Sequence, residues 1–79
     1  MVSKSIGGWV AESEVADTLR QAEKAHEGAA IGSYPFFREG RVGANFVVRS
    51  PDEALVDRCI ADLTRALENA GYEITAGGI

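Results

Sequence analysis

Several kinds of residue are scarce in this 79-residue chain, and each scarcity excludes a class of protein. Cys59 is the only cysteine, so neither a disulfide framework nor a cysteine-based metal site can form within one chain. No apolar run approaches the roughly 18 residues that a membrane span requires, and the first ten residues lack the basic start and apolar core of a signal peptide. These absences predict a cytoplasmic protein without a membrane segment.

Basic residues are also in the minority, and the formal net charge is −4. A nucleic-acid-binding domain normally carries a basic surface that neutralises phosphates, so the overall balance argues against that function. One segment differs from the rest, because residues 29–50 contain Arg38, Arg41 and Arg49 against Glu39 alone. The sequence therefore predicts one basic hairpin on an acidic domain.

Groups that could perform acid–base or nucleophilic chemistry are few. His26 is the only histidine, and it lies at the C-terminal end of a predicted helix, where packing or the helix dipole explains it better than catalysis. Cys59 lies between Leu55 and Leu63 on an apolar helix face, which indicates a buried, unreactive thiol. No spacing typical of metal ligands is present. We therefore expect no catalytic residue, no metal and no enzymatic activity.

The periodicity of apolar residues predicts the element order β-α-β-β-α, with an optional fourth strand at residues 72–75. The expected strands are 2–10, 29–37 and 42–49, and the expected helices are 12–27 and 51–70. The second helix has the strongest local signal. Ser50 is predicted as its N-cap, Pro51 as its first residue, and Glu53 as the residue that completes a capping box.

One sheet covered on one face by two helices would bury both apolar stripes. The predicted fold class is therefore α+β, a ferredoxin-like two-layer sandwich that forms a single domain over residues 1–79. A right-handed first crossover is expected to make strand 1 parallel to strand 3, in a mixed sheet of order 2-3-1, or 2-3-1-4 with the optional strand. This order puts strand 2 at an edge, where Pro35 is tolerated. Gly7-Gly8 indicates a bulge or a close backbone approach in strand 1.

The basic hairpin is the best candidate for a binding site. The candidate ligand-binding residues are Gly32, Ser33, Tyr34, Arg38, Arg41 and Arg49. The arginines could hold an anion beside the Ser33 hydroxyl and the Gly32 amide, and Tyr34 could stack on a base. The alternatives are a solvated hairpin and ordinary core or interface packing. We predict weak anion binding at this hairpin.

Two segments of the hairpin carry a family resemblance. Ile31-Gly-Ser-Tyr-Pro-Phe-Phe37 and Phe46-Val-Val-Arg-Ser50, with Gly40 and Gly43 between them, resemble the C-terminal segment of the molybdopterin-binding-like proteins. Those proteins are related to competence/damage-inducible protein A (CinA) and to the N-terminal region of eukaryotic FAD synthase. The start of the chain, Ser3–Val10 and Glu12-Ser-Glu-Val-Ala16, is similar to the strand and helix that follow the nucleotide-binding domain there.

The resemblance implies a KH-like fold and a domain excised from the C-terminus of a larger protein. It also implies no cofactor in this domain, because the pterin or nucleotide ligand would lie in a separate one. The expected partners are the preceding nucleotide-binding-like domain and a second copy of the chain. We therefore expect a non-catalytic accessory or interaction domain of a CinA-like protein. The alternative is a small binding module that holds a nucleotide, phosphate or RNA at the basic hairpin.

Overall fold

The computed structural model describes all 79 residues and contains six secondary-structure elements. In chain order they are β1 (Val2–Gly8), α1 (Glu12–Ala25), β2 (Ala30–Arg38), β3 (Arg41–Ser50), α2 (Glu53–Asn69) and β4 (Ile74–Ala76). The strands form one sheet of order β2-β3-β1-β4. The α+β class, the strand order and the optional fourth strand are therefore confirmed, and the arrangement is ferredoxin-like.

The mixed sheet predicted from the sequence is wrong, because every neighbouring pair of strands is antiparallel. β1 pairs with β3 from Val2 opposite Ser50 to Gly8 opposite Ala44. The crossover through α1 does connect two strands that run in the same direction, but those strands are β1 and β2, and β3 lies between them. Since the β2–β3 hairpin reverses the chain, β3 is antiparallel to both of its neighbours.

β2 lies at an edge of the sheet, as Pro35 predicts, and that edge is partly blocked. The Ile31 N–H donates to Glu23 Oε2 at 2.7 Å, so it points away from β3. Because backbone groups alternate in direction along a strand, Ser33, Pro35 and Phe37 point outward as well. Pro35 has no N–H to donate. Two of the four outward positions on this edge are thus unavailable as donors to another strand.

The core lies between the sheet and the two helices and has two parts. The larger part contains Ile6, Val10, Val15, Ala44, Phe46, Leu63 and Leu67, and the smaller contains Ala29, Val48, Val56 and Cys59. α2 contributes four buried side chains, whereas Val15 is the one buried residue of α1. α2 is therefore the main partner of the sheet. Neither helix has the length and apolarity needed to cross a membrane.

The start of α2 differs from the predicted capping box. Asp52 and not Ser50 is the N-cap, since its carboxylate accepts from the amides of Ala54 and Leu55 at 3.0 and 3.3 Å. The Ser50 hydroxyl is buried and accepts from the Asp52 amide at 3.1 Å. Ser50 is the last residue of β3, where it pairs with Val2. The sheet therefore determines the position of Ser50, and the helix begins three residues later.

Gly7 and Gly8 mark a close backbone approach and not a bulge, because β1 pairs with β3 residue by residue. A Cβ atom on Gly7 would lie 2.8 Å from the Ile79 nitrogen and still closer to Asn45 Oδ1. The C-terminal segment Gly77–Ile79 crosses the sheet at this point. A larger residue in place of Gly7 would displace that segment.

Candidate functional site on the open sheet face

The helices cover one face of the sheet, and the other face, called the open face below, carries the candidate site. Side chains alternate between the two faces along each strand, and the strand register assigns Ser5, Tyr34, Phe36, Asn45, Val47 and Arg49 to the open face. The uncovered face of an antiparallel sheet is usually polar. The aromatic side chains on this one therefore need a structural explanation.

Four side chains form a continuous stack at the hairpin end of the open face, and we call them the Arg–aromatic cluster: Arg38, Phe36, Trp9 and Arg41. The Arg38 guanidinium lies 4.5 Å from the Phe36 ring centroid, and the Arg41 guanidinium lies 4.4 Å from that of Trp9. The two rings meet edge to face, with centroids 5.2 Å apart. Each cation–π contact contributes roughly 0.5–1 kcal/mol at an exposed site, so the cluster orders both arginines.

Glycines on the open face make room for these rings. Phe36 lies across Gly43, its partner in the β2–β3 register, and a Cβ atom on Gly43 would overlap the Phe36 ring. Tyr34 lies in the same way against Gly32, where a Cβ atom would meet the Tyr34 ring at 3.2 Å. Aromatic rings placed over glycines shield the backbone of the sheet. The glycines of this hairpin are therefore part of the surface that the aromatics build.

The structure does not bring the predicted anion-binding residues together. Arg38 and Arg41 face each other across the hairpin. Arg49 pairs with Ala30 at the other end of β3, and a rise of about 3.3 Å per residue puts it roughly 26 Å from Arg41. Ser33 points to the helix side, where its buried Oγ has no hydrogen-bond partner. Anion binding at the hairpin stays a prediction, and Arg38 and Arg41 are the residues placed to take part.

A cleft of about 310 Å³ lies beside the Arg–aromatic cluster, and reasoning from the sequence missed it. Its lining residues are Trp9, Arg41, Gly71, Tyr72, Glu73 and Thr75. Trp9 and Arg41 form one wall, and the other comes from the α2–β4 loop and the start of β4. The walls come from three segments far apart in the sequence. No local pattern links them, and the single tryptophan beside a Gly-Gly pair was the only available signal.

The two residues considered for catalysis, His26 and Cys59, contribute to the packing of the fold. His26 Nδ1 lies 2.7 Å from the Ala22 carbonyl oxygen, and its Nε2 lies 2.8 Å from Asp62 Oδ2, so the ring joins α1 to α2. Cys59 is fully buried, as predicted. Burial raises the pKa of its thiol, and the nearby carboxylates of Asp62 and Glu23 raise that pKa further. A raised pKa lowers the thiolate population that reactivity requires.

Two other titratable groups also connect elements. Lys4 on β1 donates to Asp57 on α2, and this hydrogen bond is the main reason that the pKa of Lys4 is raised. The Tyr72 hydroxyl donates to Glu14 Oε2 at 3.0 Å, and that hydrogen bond is the largest contribution to the raised pKa of Tyr72. Both groups hold their protons more tightly than usual. Neither is therefore suited to act as a base near neutral pH.

The C-terminal segment Gly77–Ile79 is held against the middle of the open face. The Ile79 N–H donates to Asn45 Oδ1 at 2.7 Å, and Asn45 Nδ2 donates to the Ile79 carbonyl at 3.0 Å. The Gly77 N–H donates to the Ser5 carbonyl at 2.9 Å, and the Ser5 hydroxyl donates to the Gly77 carbonyl at 3.1 Å. These four hydrogen bonds hold the C-terminal segment in place on the open face.

The fold is similar to that of the de novo designed protein Foldit4. The TM-score is 0.73 and the sequence identity 14%, over 94% of this chain and 88% of that chain. At this identity the likeness shows the fold alone. The family described as FAD synthase, middle domain, matches residues 1–74, and the chain belongs to this family. No curated protein matches the chain.

The resemblance to the C-terminal segment of CinA-like, molybdopterin-binding-like proteins is therefore wrong, because the matching family is the FAD synthase middle domain. The residues that carried the resemblance have positions that the fold explains. Phe46 and Ser50 are buried, Pro35 lies on an edge strand, and Gly43 lies beneath Phe36. Because the fold requires such residues at these positions, their presence is weak evidence for membership of one particular family. The expectation of a pterin-containing parent protein, which rested on the resemblance, loses its support.

Proposed function

We propose that this chain is a non-catalytic contact domain of an FAD synthase family protein, and that its open face packs against a neighbouring domain of the same polypeptide. The family is described as a middle domain, which supports the presence of other domains before and after it in the same polypeptide. The observation that carries the proposal is the Gly77–Ile79 segment held by Asn45 and Ser5. This segment lies on the surface that the helices leave uncovered, and its hydrogen bonds there support an open face that binds polypeptide.

The chemistry of the open face also supports a contact surface. Tyr34 is 53% exposed, and Tyr and Arg are enriched at protein interfaces. No carboxylate lies within 4.0 Å of the basic groups of Arg38, Arg41 or Arg49. A neighbouring surface with acidic groups would complement these charges. We therefore expect the contacting domain to present Asp and Glu side chains to this face.

The non-catalytic role is supported by the contacts of the groups that could do chemistry. His26 and Lys4 each link two elements through their functional groups, Tyr72 links the α2–β4 loop to α1, and Cys59 is buried. Using any of them in catalysis would break a contact within the fold.

The compartment follows from a separate observation. The free thiol of Cys59 suits a reducing compartment, and we place the domain in the cytoplasm.

Titration of the isotope-labelled chain with an FAD synthase lacking its middle domain tests the contact by NMR. We expect amide shifts at the open-face residues of β1 and β3, and weaker binding of the Tyr34→Ala variant. Phe37→Ala is the matched control, because Phe37 is an aromatic of the same strand that is 71% exposed and faces the other way. Shifts confined to α1 and α2, or equal weakening by the two variants, would contradict the proposed surface. Formation of FAD by the chain alone would contradict a non-catalytic role.

A further inference from the structure

We propose that the cleft beside the Arg–aromatic cluster binds a small phosphate monoester with free hydroxyl groups, such as a pentose phosphate. The proposal goes beyond the contact role and does not depend on it. The cleft lies at the end of the sheet, between the start of β3 and the α2–β4 loop, and it shares Trp9 and Arg41 with the edge of the open face. Three properties of the cleft identify the ligand class: the arginine wall, the opposite wall and the volume.

The arginine wall is suited to an anion. The Arg41 guanidinium lies 4.4 Å from the Trp9 ring centroid, a contact that orders it, and its N–H groups remain available to donate to a ligand. No carboxylate lies within 4.0 Å of the guanidinium. Arg38 lies directly across the hairpin, stacked on Phe36 and also without a carboxylate partner. Only Arg41 lines the cleft, and Arg38, at the other end of the Arg–aromatic cluster, adds a second unneutralised positive charge to this side of the molecule. This positive charge favours a doubly charged phosphate over a singly charged carboxylate.

The opposite wall is suited to hydroxyl groups. Glu73 and Thr75 line it, and both side chains are exposed to solvent. No basic group lies within 4.0 Å of the Glu73 carboxylate, so its oxygens are free to accept from a ligand. The Thr75 hydroxyl can donate or accept. An anion at Arg41 and hydroxyl groups near Glu73 together describe a phosphorylated sugar.

The volume restricts the size of the ligand. About 310 Å³ is at the lower limit of small-molecule pockets, which span roughly 300–1,000 Å³. A cleft of this volume accommodates a pentose phosphate. It is too small for an entire dinucleotide. The negative charge of Glu73 also disfavours a second phosphate on that side of the cleft.

The single tryptophan makes the cleft directly observable, because all indole fluorescence comes from Trp9. We expect ribose 5-phosphate to cause a saturable change in this fluorescence, inorganic phosphate to bind more weakly, and ribose and serine to cause no change. Absence of a saturable signal up to about 10 mM ribose 5-phosphate would refute the proposal. Tighter binding of serine would indicate a zwitterion site and would also refute it.

Variants identify the groups that bind, with affinities measured by calorimetry because substitutions beside Trp9 change its fluorescence. Arg41→Ala should weaken ribose 5-phosphate binding by about tenfold or more, and Arg41→Lys should lie between that variant and the wild type. Arg49→Ala is the matched control, since Arg49 is an exposed arginine at the other end of the same strand. If Arg49→Ala weakened ribose 5-phosphate binding as much as Arg41→Ala does, the binding would reflect only non-specific attraction between the anion and the arginines.

Glu73→Ala, which removes the acceptor oxygens at an exposed position, tests the hydroxyl wall separately. We expect this variant to bind inorganic phosphate at least as well as the wild type and to lose most of the preference for ribose 5-phosphate. An unchanged preference would refute the assignment of hydroxyl groups to this wall. Circular dichroism and the unfolding midpoint of each variant establish that it is folded.

Discussion

At the scale of single residues, the start of α2 depends on Asp52. Its Oδ1 accepts from the amides of Ala54 and Leu55, two donors in the first turn that have no partner within the helix. Loss of such an N-cap typically costs ~1 kcal/mol. The adjacent Glu53 carboxylate makes one long contact, 3.6 Å to Lys4 Nζ, at the protein surface. The two neighbouring acids therefore differ in their importance for stability.

We predict that Asp52→Ala lowers the free energy of unfolding by about 1 kcal/mol, because the two amides lose their acceptor. Urea denaturation followed by circular dichroism measures this change. Glu53→Ala serves as the control and should have a much smaller effect, since surface ion pairs contribute little. Comparable losses in the two variants would instead favour the Ser50–Glu53 capping box.

Tyr72 gives the molecule a pH dependence at the residue scale. Its hydrogen bond to Glu14, followed by burial, raises its pKa above the ordinary value of 10.0. The folded protein therefore holds this proton more tightly than the unfolded chain does. The resulting stabilisation is fully present below about pH 10 and is lost as the pH rises through the higher folded pKa.

We predict that the free energy of unfolding of the wild type falls more steeply above about pH 10 than that of Tyr72→Phe, which has no ionisable group at this position. Urea denaturation at about pH 8 and about pH 11 measures the difference. Lys4 also has a raised pKa, but it is present in both proteins and cancels in the comparison. Parallel pH profiles would show that the Tyr72–Glu14 hydrogen bond does not contribute.

At the scale of elements, β2 is the strand most exposed to unwanted pairing, because it is nine residues long and lies at the sheet edge. The protein limits this pairing in two ways. The Glu23 carboxylate accepts from the Ile31 N–H, and Pro35 lacks an N–H altogether. The effect of Pro35 could be predicted from the sequence, because proline is tolerated at only a few places in a sheet, among them an edge strand. The Glu23 contact could not, because it needs α1 to lie beside the edge.

We predict that the double variant Glu23→Ala, Pro35→Val self-associates more strongly than the wild type, because both outward N–H groups become available to another strand. Sedimentation velocity over a range of concentrations measures the change. Glu27→Ala with Pro35 retained is the control, as Glu27 makes no hydrogen bond to β2. An unchanged sedimentation coefficient in the double variant would show that these two residues do not protect the edge.

At the scale of the whole molecule, stability depends on one small core. A domain of 79 residues buries only about 60% of the surface of its unfolded chain, and domains have a total stability of roughly 5–15 kcal/mol. Leu63 on α2 is fully buried in the larger part of the core, while Cys59 one turn earlier lies in the smaller part. α2 therefore connects both parts to the sheet. A cavity under this helix should affect the entire fold.

We predict that Leu63→Ala lowers the free energy of unfolding by about 2–5 kcal/mol, through lost burial and the cavity that remains. Reaction of a thiol reagent with Cys59 should become faster in the same variant, because a fully buried thiol reacts only when the structure opens. Leu55→Ala, at a half-buried site on the same helix, should have a smaller effect on both measurements. A Cys59 reaction rate that does not follow stability would show that local opening exposes the thiol.

The sequence by itself determined the class, order and approximate limits of the elements, the edge position of β2 and the burial of Cys59. These features depend on apolar periodicity and on the special chemistry of proline and glycine, which act within a few residues. Only the tertiary structure decided the direction of β3 relative to β1, the choice of Asp52 and not Ser50 as the N-cap of α2, and the distance between Arg49 and Arg41. It also assembled the cleft and placed Gly77–Ile79 on the open face. These features join residues far apart in the chain, and a contact between distant segments depends on the packing of the complete sheet and both helices.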